Sequence, residues 1–279
     1  MNALRHNRST LAGLAIVAAL VAFALVAPAL TSHDPYASEF SSGVTPDHLP
    51  VGPNGTFLLG TDRLFRDTFS RLAVAGRISL FIGLAATLLA TVIGALVGVV
   101  AGWFEGRWID AILMRIVDVG LAFPFLLLVM AIGAALDRTT PITILLTLGL
   151  TGWLGTARLV RAKTLQIRQL DYVTASRALG QSTARILVRH VLPNVRGPLL
   201  VVATVSVAQM ILAESILAFL GAGISPPTPT WGHMLFEGKD YFSTSPWMSL
   251  APGLAIMASV LGFNLLGEGL RDAFDPRKH

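Results

Sequence analysis

Few residues in this sequence are able to do covalent chemistry, and their spacing argues against it. The nearest approach to a phosphate-binding loop is Ala157 to Thr164, where Lys163-Thr164 mimic the end of that motif. Ala157 and Ala162 stand where the motif needs glycines, and no strand pattern precedes them, so the backbone cannot wrap a phosphate and the segment reads as a basic helix end. The six histidines include no pair at the four-residue spacing of a helical zinc protease. Cysteine is absent, which removes disulfides, thiol chemistry and Cys-based metal sites. No nucleophile and base stand together in the apolar segments, as an intramembrane protease would require. Asn54-Gly55-Thr56 matches a glycosylation acceptor, a pattern too short to carry weight outside a eukaryotic secretory setting. What remains is polarity in apolar surroundings. Glu214 and Glu268 are candidates either for interhelical hydrogen bonds or for lining a route through a membrane, and Gln209 and Asn264 join Glu214 as candidates for lining. Asp110, Arg115 and Asp118 are spaced to form a local ion-pair network.

The elements that must position these residues are membrane spans. The chain has 279 residues, of which 53% are hydrophobic and 13% charged, about half the charge of an ordinary soluble domain. A span needs about 20 mostly apolar residues to cross about 30 Å of hydrocarbon. Six segments qualify: 11–30, Ile78 to Gly102, Ile109 to Leu136 with Pro124 inside it, Ile142 to Leu159, Leu199 to Leu220, and Leu250 to Leu270. The first is longer than a signal-peptide core and is read as a retained span. Gly83, Gly94 and Gly98 in the second predict close helix contacts. Residues 31–77 read as a Pro-rich loop followed by an interfacial segment from Arg63 to Arg77, and a second Pro-rich loop carries Trp231, Tyr241 and Trp247. Those aromatics suit an interface belt or a contact with another protein equally well. With residues 1–10 and the 271–279 tail on the cytoplasmic side, 15 of the 21 Lys and Arg fall at cytoplasmic positions or adjoining span ends and 6 fall on the other. The positive-inside rule then places both termini in the cytoplasm. The formal net charge of +5 has the basic residues between apolar runs, not gathered on one solvated face, so nucleic acid is not the expected partner.

The core at 78–270 thus contains five spans and one large basic cytoplasmic loop, 163–197. Asp171 is positioned to cap a helix over Tyr172 to Leu179, with Gly180 in a left-handed turn after it. Ser182 is positioned to cap a second helix from Thr183, which should stop before Pro193. Ala175, Ser176 and Ala178 keep one surface small, and Arg177, Arg185 and Arg189 make the unit cationic, a shape suited to another protein's groove. His190 belongs to this loop and not to a metal site.

At this point the sequence resembles the inner-membrane components of binding-protein-dependent ABC importers. Their cytoplasmic loop bears Glu-Ala-Ala, three residues, Gly, and later Leu-Pro; here Thr174-Ala175-Ser176, Gly180 and Leu192-Pro193 occupy those places, with Thr174 in the acidic position. The resemblance narrows to the dipeptide, oligopeptide and nickel group, second permease type. It is carried by Leu59-Gly60-Thr61-Asp62, Arg66-Asp67, Arg77-Ile78-Ser79-Leu80, Arg189 to Asn194, Phe219-Leu220-Gly221, Pro226-Pro227 with Trp231-Gly232, Asn264 to Gly267, Gly269 to Asp272 and Asp275-Pro276-Arg277. Phe65 stands where that group has glycine. The resemblance implies an all-α, six-span, type I importer permease fold and a pore subunit with no ATPase site and no cofactor of its own. It also implies ATP and Mg held by cytoplasmic ATPase partners, a homologous permease completing a heterodimer, and an extracytoplasmic substrate-binding protein. The implied cargo is peptide, with nickel complexes as the alternative; a secondary transporter is the rival outside the family, though no inverted repeat is visible.

Overall fold

The computed structural model describes residues 8–135 and 139–274. Arg5, His6, Asp137 and the Asp275-Pro276-Arg277 match lie outside the described residues. Among those described the chain is helical, with only the isolated β-bridges Val44–Pro50 and Thr61–Asp67 outside the helices. Five helical stretches are long and apolar enough to span, and a bent pair brings the number to six.

Helix α1 (Arg8–Leu30) contains Pro28, which cannot donate to the Ala24 carbonyl four residues back. Arg77 fills that vacancy, donating Nε to the Ala24 oxygen at 2.7 Å and Nη2 to the Leu25 oxygen at 2.8 Å. Helix α2 (Thr68–Trp103) is 36 residues long, about 54 Å, so the expected interfacial segment is largely the outer part of the same helix as the second span. Asp67 starts it, accepting from the Ser70 amide at 2.8 Å.

The expected single third span is broken. Helices α3 (Trp108–Ala122) and α4 (Phe125–Ala134) meet at 87°. Pro124 is the cause: it excludes Phe123 from the helical region, and Phe123 is extended at φ −92°, ψ 137°. Helices α5 (Pro141–Thr151) and α6 (Trp153–Arg168) adjoin at Gly152 and together form one 28-residue span, reaching well past the expected end at Leu159. Gly94 and Gly98, with Gly102, form a four-residue repeat on α2 against which α6 lies. A Cβ at these positions would strike Thr156, the Ala157 carbonyl and Thr164 respectively, so the small side chains set the helix separation. Gly83 plays the same part against Ile211.

After α6 come the short helices α7 (Asp171–Ala178) and α8 (Thr183–Ile186), then α9 (Leu192–Phe219), α10 (Trp231–Gly238) and α11 (Trp247–Phe274). The helix expected to end before Pro193 does not end there. A π-turn over Leu187–Val191, closed by the Leu192 amide on the Leu187 carbonyl, carries α8 into α9. Widening the turn by one residue lets a proline with no N–H and a bulky ring pass without breaking the rod. The His190 carbonyl accepts from Asn194 Nδ2 at 2.7 Å, a side-chain bond across the junction. Two caps also differ from expectation: Leu170, not Asp171, precedes α7, and Ser182 precedes α8 without a side-chain cap bond.

Candidate functional site

Three places on this scaffold carry the polar or exposed groups that a transport function would use. They are called here the coupling end, where residues 169–191 lie, the mid-span cavity, and the loop end, where residues 31–67 lie.

At the coupling end, α7, α8 and the π-turn fold back on the bundle. Val173, Ile186, Val191 and Val195 are buried against Val99, Trp103, Val160 and Ile167, fastening the unit to the ends of α2 and α6. Gly180 has φ +75° with open space around it, so the corner uses glycine for its backbone conformation, as the sequence predicts. The Ser176 hydroxyl donates to the Tyr172 carbonyl at 2.8 Å and lies 3.3 Å from His190 Nε2, and Asn194 donates to the Tyr172 hydroxyl at 3.1 Å. Thus Tyr172, Ser176, His190 and Asn194 lock the two arms together. Arg177 stacks over Trp103 at 4.1 Å, beside Arg168, which donates to the Trp103 carbonyl at 3.0 Å. Burial against the ring and the Arg168 charge draw the Arg177 guanidinium below its ordinary range. The outer surface holds Asp171, Thr174, Ala175, Arg185, Arg189, Leu192 and Pro193, all exposed, around two projecting apolar side chains, Leu179 at 82% exposure and Val188 at 65%. The exposed surface is thus apolar at Leu179 and Val188 and basic at Arg185 and Arg189.

The mid-span cavity has a volume of about 420 Å³. It sits where both irregular junctions meet, with Phe123 and Phe125 from the α3–α4 break, Gly152 from the α5–α6 junction, and Gln209, Met210 and Ala213 from α9. Non-helical backbone inside a membrane is tolerated where it lines a cavity. Gln209 is exposed in it and has no hydrogen-bond partner among the described residues; the other polar side chain there, Thr151, donates to its own helix at the Thr147 carbonyl. Glu214 does not face this cavity. Its side chain is buried at 1% exposure, and Oε2 accepts from Ser79 at 3.3 Å, while the Ser79 oxygen accepts from the Trp231 amide at 3.2 Å. Glu214 therefore ties α9 to α2 and to the start of α10. Asn264 is half-buried in α11, away from the cavity's lining residues, and Glu268 is exposed on the same helix. Asp110 and Asp118 pair with α6, not with Arg115: Arg161 grips Asp110 with two bonds at 2.7 and 2.8 Å, and Arg158 meets Asp118 at 2.6 Å.

At the loop end lies a buried ion-pair cluster that reading the sequence missed. Asp62 pairs with Arg66 at 2.7 Å and with Arg71 at 3.0 Å; Glu237 on α10 meets Arg66 at 3.2 Å, Arg71 at 3.3 Å and the half-exposed Arg63 at 3.2 Å. Burial pushes the Glu237 carboxyl up, but neighbouring His233 and the Arg71 and Arg66 charges outweigh it and hold the group at about 2. Phe65 completes the tight Asp62–Arg66 turn at φ +60°, in the conformation glycine adopts readily. The signal that could have revealed the cluster is charge balance, since Glu237 stands in a helix that is apolar apart from His233 and needs a cation. Trp231, read as a belt or docking residue, is neither: it is fully buried with Nε1 donating to the Leu72 carbonyl at 3.1 Å. Trp247 likewise donates to Thr61, at 3.1 Å.

Comparisons with known proteins agree with this geometry. Residues 68–279 match the family described as binding-protein-dependent transport system inner membrane component, and residues 1–50 match the N-terminal TM domain of oligopeptide transport permease C. The chain is 38% identical over 98% of its length to the dipeptide transport system permease protein DppC of Alkalihalophilus pseudofirmus, covering 88% of that protein. It is 41% identical over 98% of its length to the di/tripeptide transport system permease protein DppC of Pseudomonas aeruginosa, covering 89% of it. With the oligopeptide transport system permease protein OppC of Bacillus subtilis it shares 37% identity over 98% of its length and 87% of that protein. Among solved structures, an inward-facing form of the MetNI methionine ABC transporter superposes with a TM-score of 0.58 at 20% identity, over 73% of this chain and 96% of that one, which shows a shared fold. A multi-pass helical bundle with a projecting helical unit, no phosphate loop in its sequence and this similarity along nearly its whole length belongs to the inner-membrane permease family of binding-protein-dependent ABC transport systems.

Proposed function

We propose that the chain is one half of the translocation route of an ATP-driven peptide importer. It pairs with a homologous permease as a heterodimer and is served by an extracytoplasmic binding protein. It performs no covalent chemistry; ATP and Mg are bound by cytoplasmic ATPase subunits. Three similar permeases carry di-, tri- or oligopeptide transport in their names, which supports peptide as the cargo. Both termini and the 171–193 unit then face the cytoplasm, an orientation the distribution of Lys and Arg supports.

The observation that carries the mechanism is the unbroken rod from Thr183 to Phe219. Its exposed end is the surface offered to the ATPase, and its other end forms a wall of the mid-span cavity at Gln209. Closure of the ATPases on ATP would push the Leu179–Val188 tip. The buried contacts with Val99, Trp103 and Ile167 make the push act on α2 and α6 as well. A tilt of α9 against the broken α3–α4 segment then changes access to the cavity. Cargo biases this equilibrium only through its different affinity for the two states.

The test is purification of the tagged chain in mild detergent. A second permease and an ATPase should accompany it, and ATP hydrolysis by the complex should rise when the binding protein is added with peptide. Transport by the isolated chain, or stimulation only by a non-peptide ligand, would contradict the proposal.

A further inference from the structure

A second, larger hollow of about 740 Å³ lies outside the route just described, between α1, α2, α9 and α11. It is on the opposite side of α9 from the mid-span cavity: its wall uses Leu200, Ala203 and Val207, whereas the cavity uses Gln209, Ala213 and Ile216. Arg77 and the packing of Ala24 on Gly76 pin α1 to α2 at the loop end; the hollow opens between the same two helices farther along, bounded by Leu14 and Leu88. Its lining is almost wholly apolar.

Its coupling-end rim is not. Arg8 lies three residues before the lining residue Leu11 on α1, and Arg196 lies four residues before the lining residue Leu200 on α9. These spacings put each arginine on the face that forms the wall, one turn beyond it. Both ends are held to the same stretch of α11, with Thr10 against Gly269 and Gly197 against Phe274. Both arginines are exposed, and neither has an ion-pair partner among the described residues. Thr10 closes this end, its buried hydroxyl packed against Gly269 and without a hydrogen-bond partner among the described residues.

An apolar hollow of this size, with two exposed arginines at its rim that have no ion-pair partner among the described residues, fits an amphiphile with a negative head. We propose that this groove is a binding site for an anionic phospholipid. A chain would lie along Leu11, Leu14, Leu88 and Leu200, and the phosphate would sit between Arg8 and Arg196. Basic clefts between spans near a membrane surface bind such headgroups by charge, while the tails are held by apolar contact.

The test uses the assembled transporter, incubated with vesicles of equal parts phosphatidylglycerol and phosphatidylcholine, washed in detergent and examined by native mass spectrometry. The unaltered complex should retain phosphatidylglycerol in preference to phosphatidylcholine. The double substitution Arg8→Gln, Arg196→Gln should lower that preference about 30-fold, at about 5-fold per arginine, without removing phosphatidylcholine. Ala203→Phe, which fills the slot, should reduce both lipids. If the double variant does not assemble, Arg8→Gln alone should still show its 5-fold share. Equal retention of the two lipids by the unaltered complex, or an unchanged ratio in the arginine variants, would overturn the proposal. So would a cross-link from Leu88→Cys to the partner permease, which would make the occupant a protein helix.

Discussion

Single side chains divide here by what they face. Gln209 is the polar side chain of the mid-span cavity that has no hydrogen-bond partner among the described residues, and on the proposed route a peptide has backbone groups to offer it. Gln209→Leu should raise the KM for uptake by roughly 5-fold, the loss of about one hydrogen bond, measured in proteoliposomes with the complete transporter. Glu237 has a different office, holding the 31–67 loop and α2 to α10 through Arg66 and Arg71. Its carboxyl is held at about 2, below the ordinary value of 4.5, so its contribution is fully present above about pH 4.5 and is lost as pH falls toward 2. Thermal stability in detergent should be insensitive to this group between pH 7 and 5 and drop below that range. Glu237→Gln, leaving two buried arginines short of a partner, should cost about 3–5 kcal/mol at neutral pH and remove the acid-dependent step.

Helices show what pattern alone reveals and what it hides. The spans, the glycine contacts of α2 and the left-handed corner at Gly180 were legible, because apolar length, absent side chains and positive φ are local properties. The 87° break after Ala122 was signalled by Pro124 but not its angle, which depends on what packs around the free ends. The passage of the helix through Pro193 was not legible. A local rule stops a helix at proline, and the π-turn carries this one past it. The buried cluster at Asp62, Arg66, Arg71 and Glu237 escaped because its charges are up to 175 residues apart in sequence (237 − 62) and are brought together by tertiary contacts. At this scale Gly98→Leu should push α6 off α2 and lower stability by about 1–3 kcal/mol, read as a shift in thermal midpoint. Gly180→Val, with no clash to relieve but a backbone at φ +75°, should strain the corner by about 1–2 kcal/mol. ATP hydrolysis should continue in that variant while uptake falls; unchanged uptake would remove Gly180 from the coupling account.

For the whole molecule, the decisive arrangement is polar or projecting structure at three levels along one bundle: a tip with Leu179 and Val188, a cavity at the broken spans, and a clamped loop end. The continuous helix Thr183–Phe219 carries Val188 of the first and Gln209 of the second, so on the proposed mechanism force applied at the tip is delivered to the cavity. The chain's lack of cysteine makes that claim directly testable. Leu179→Cys or Val188→Cys, placed in the assembled transporter, can be tested for cross-linking to cysteines introduced on the surface of the proposed ATPase subunit, with and without ATP. The account predicts a cross-link from the tip to the ATPase whose yield changes with nucleotide; a tip that reacts only with impermeant reagents added outside intact cells, and never joins the ATPase, would contradict it.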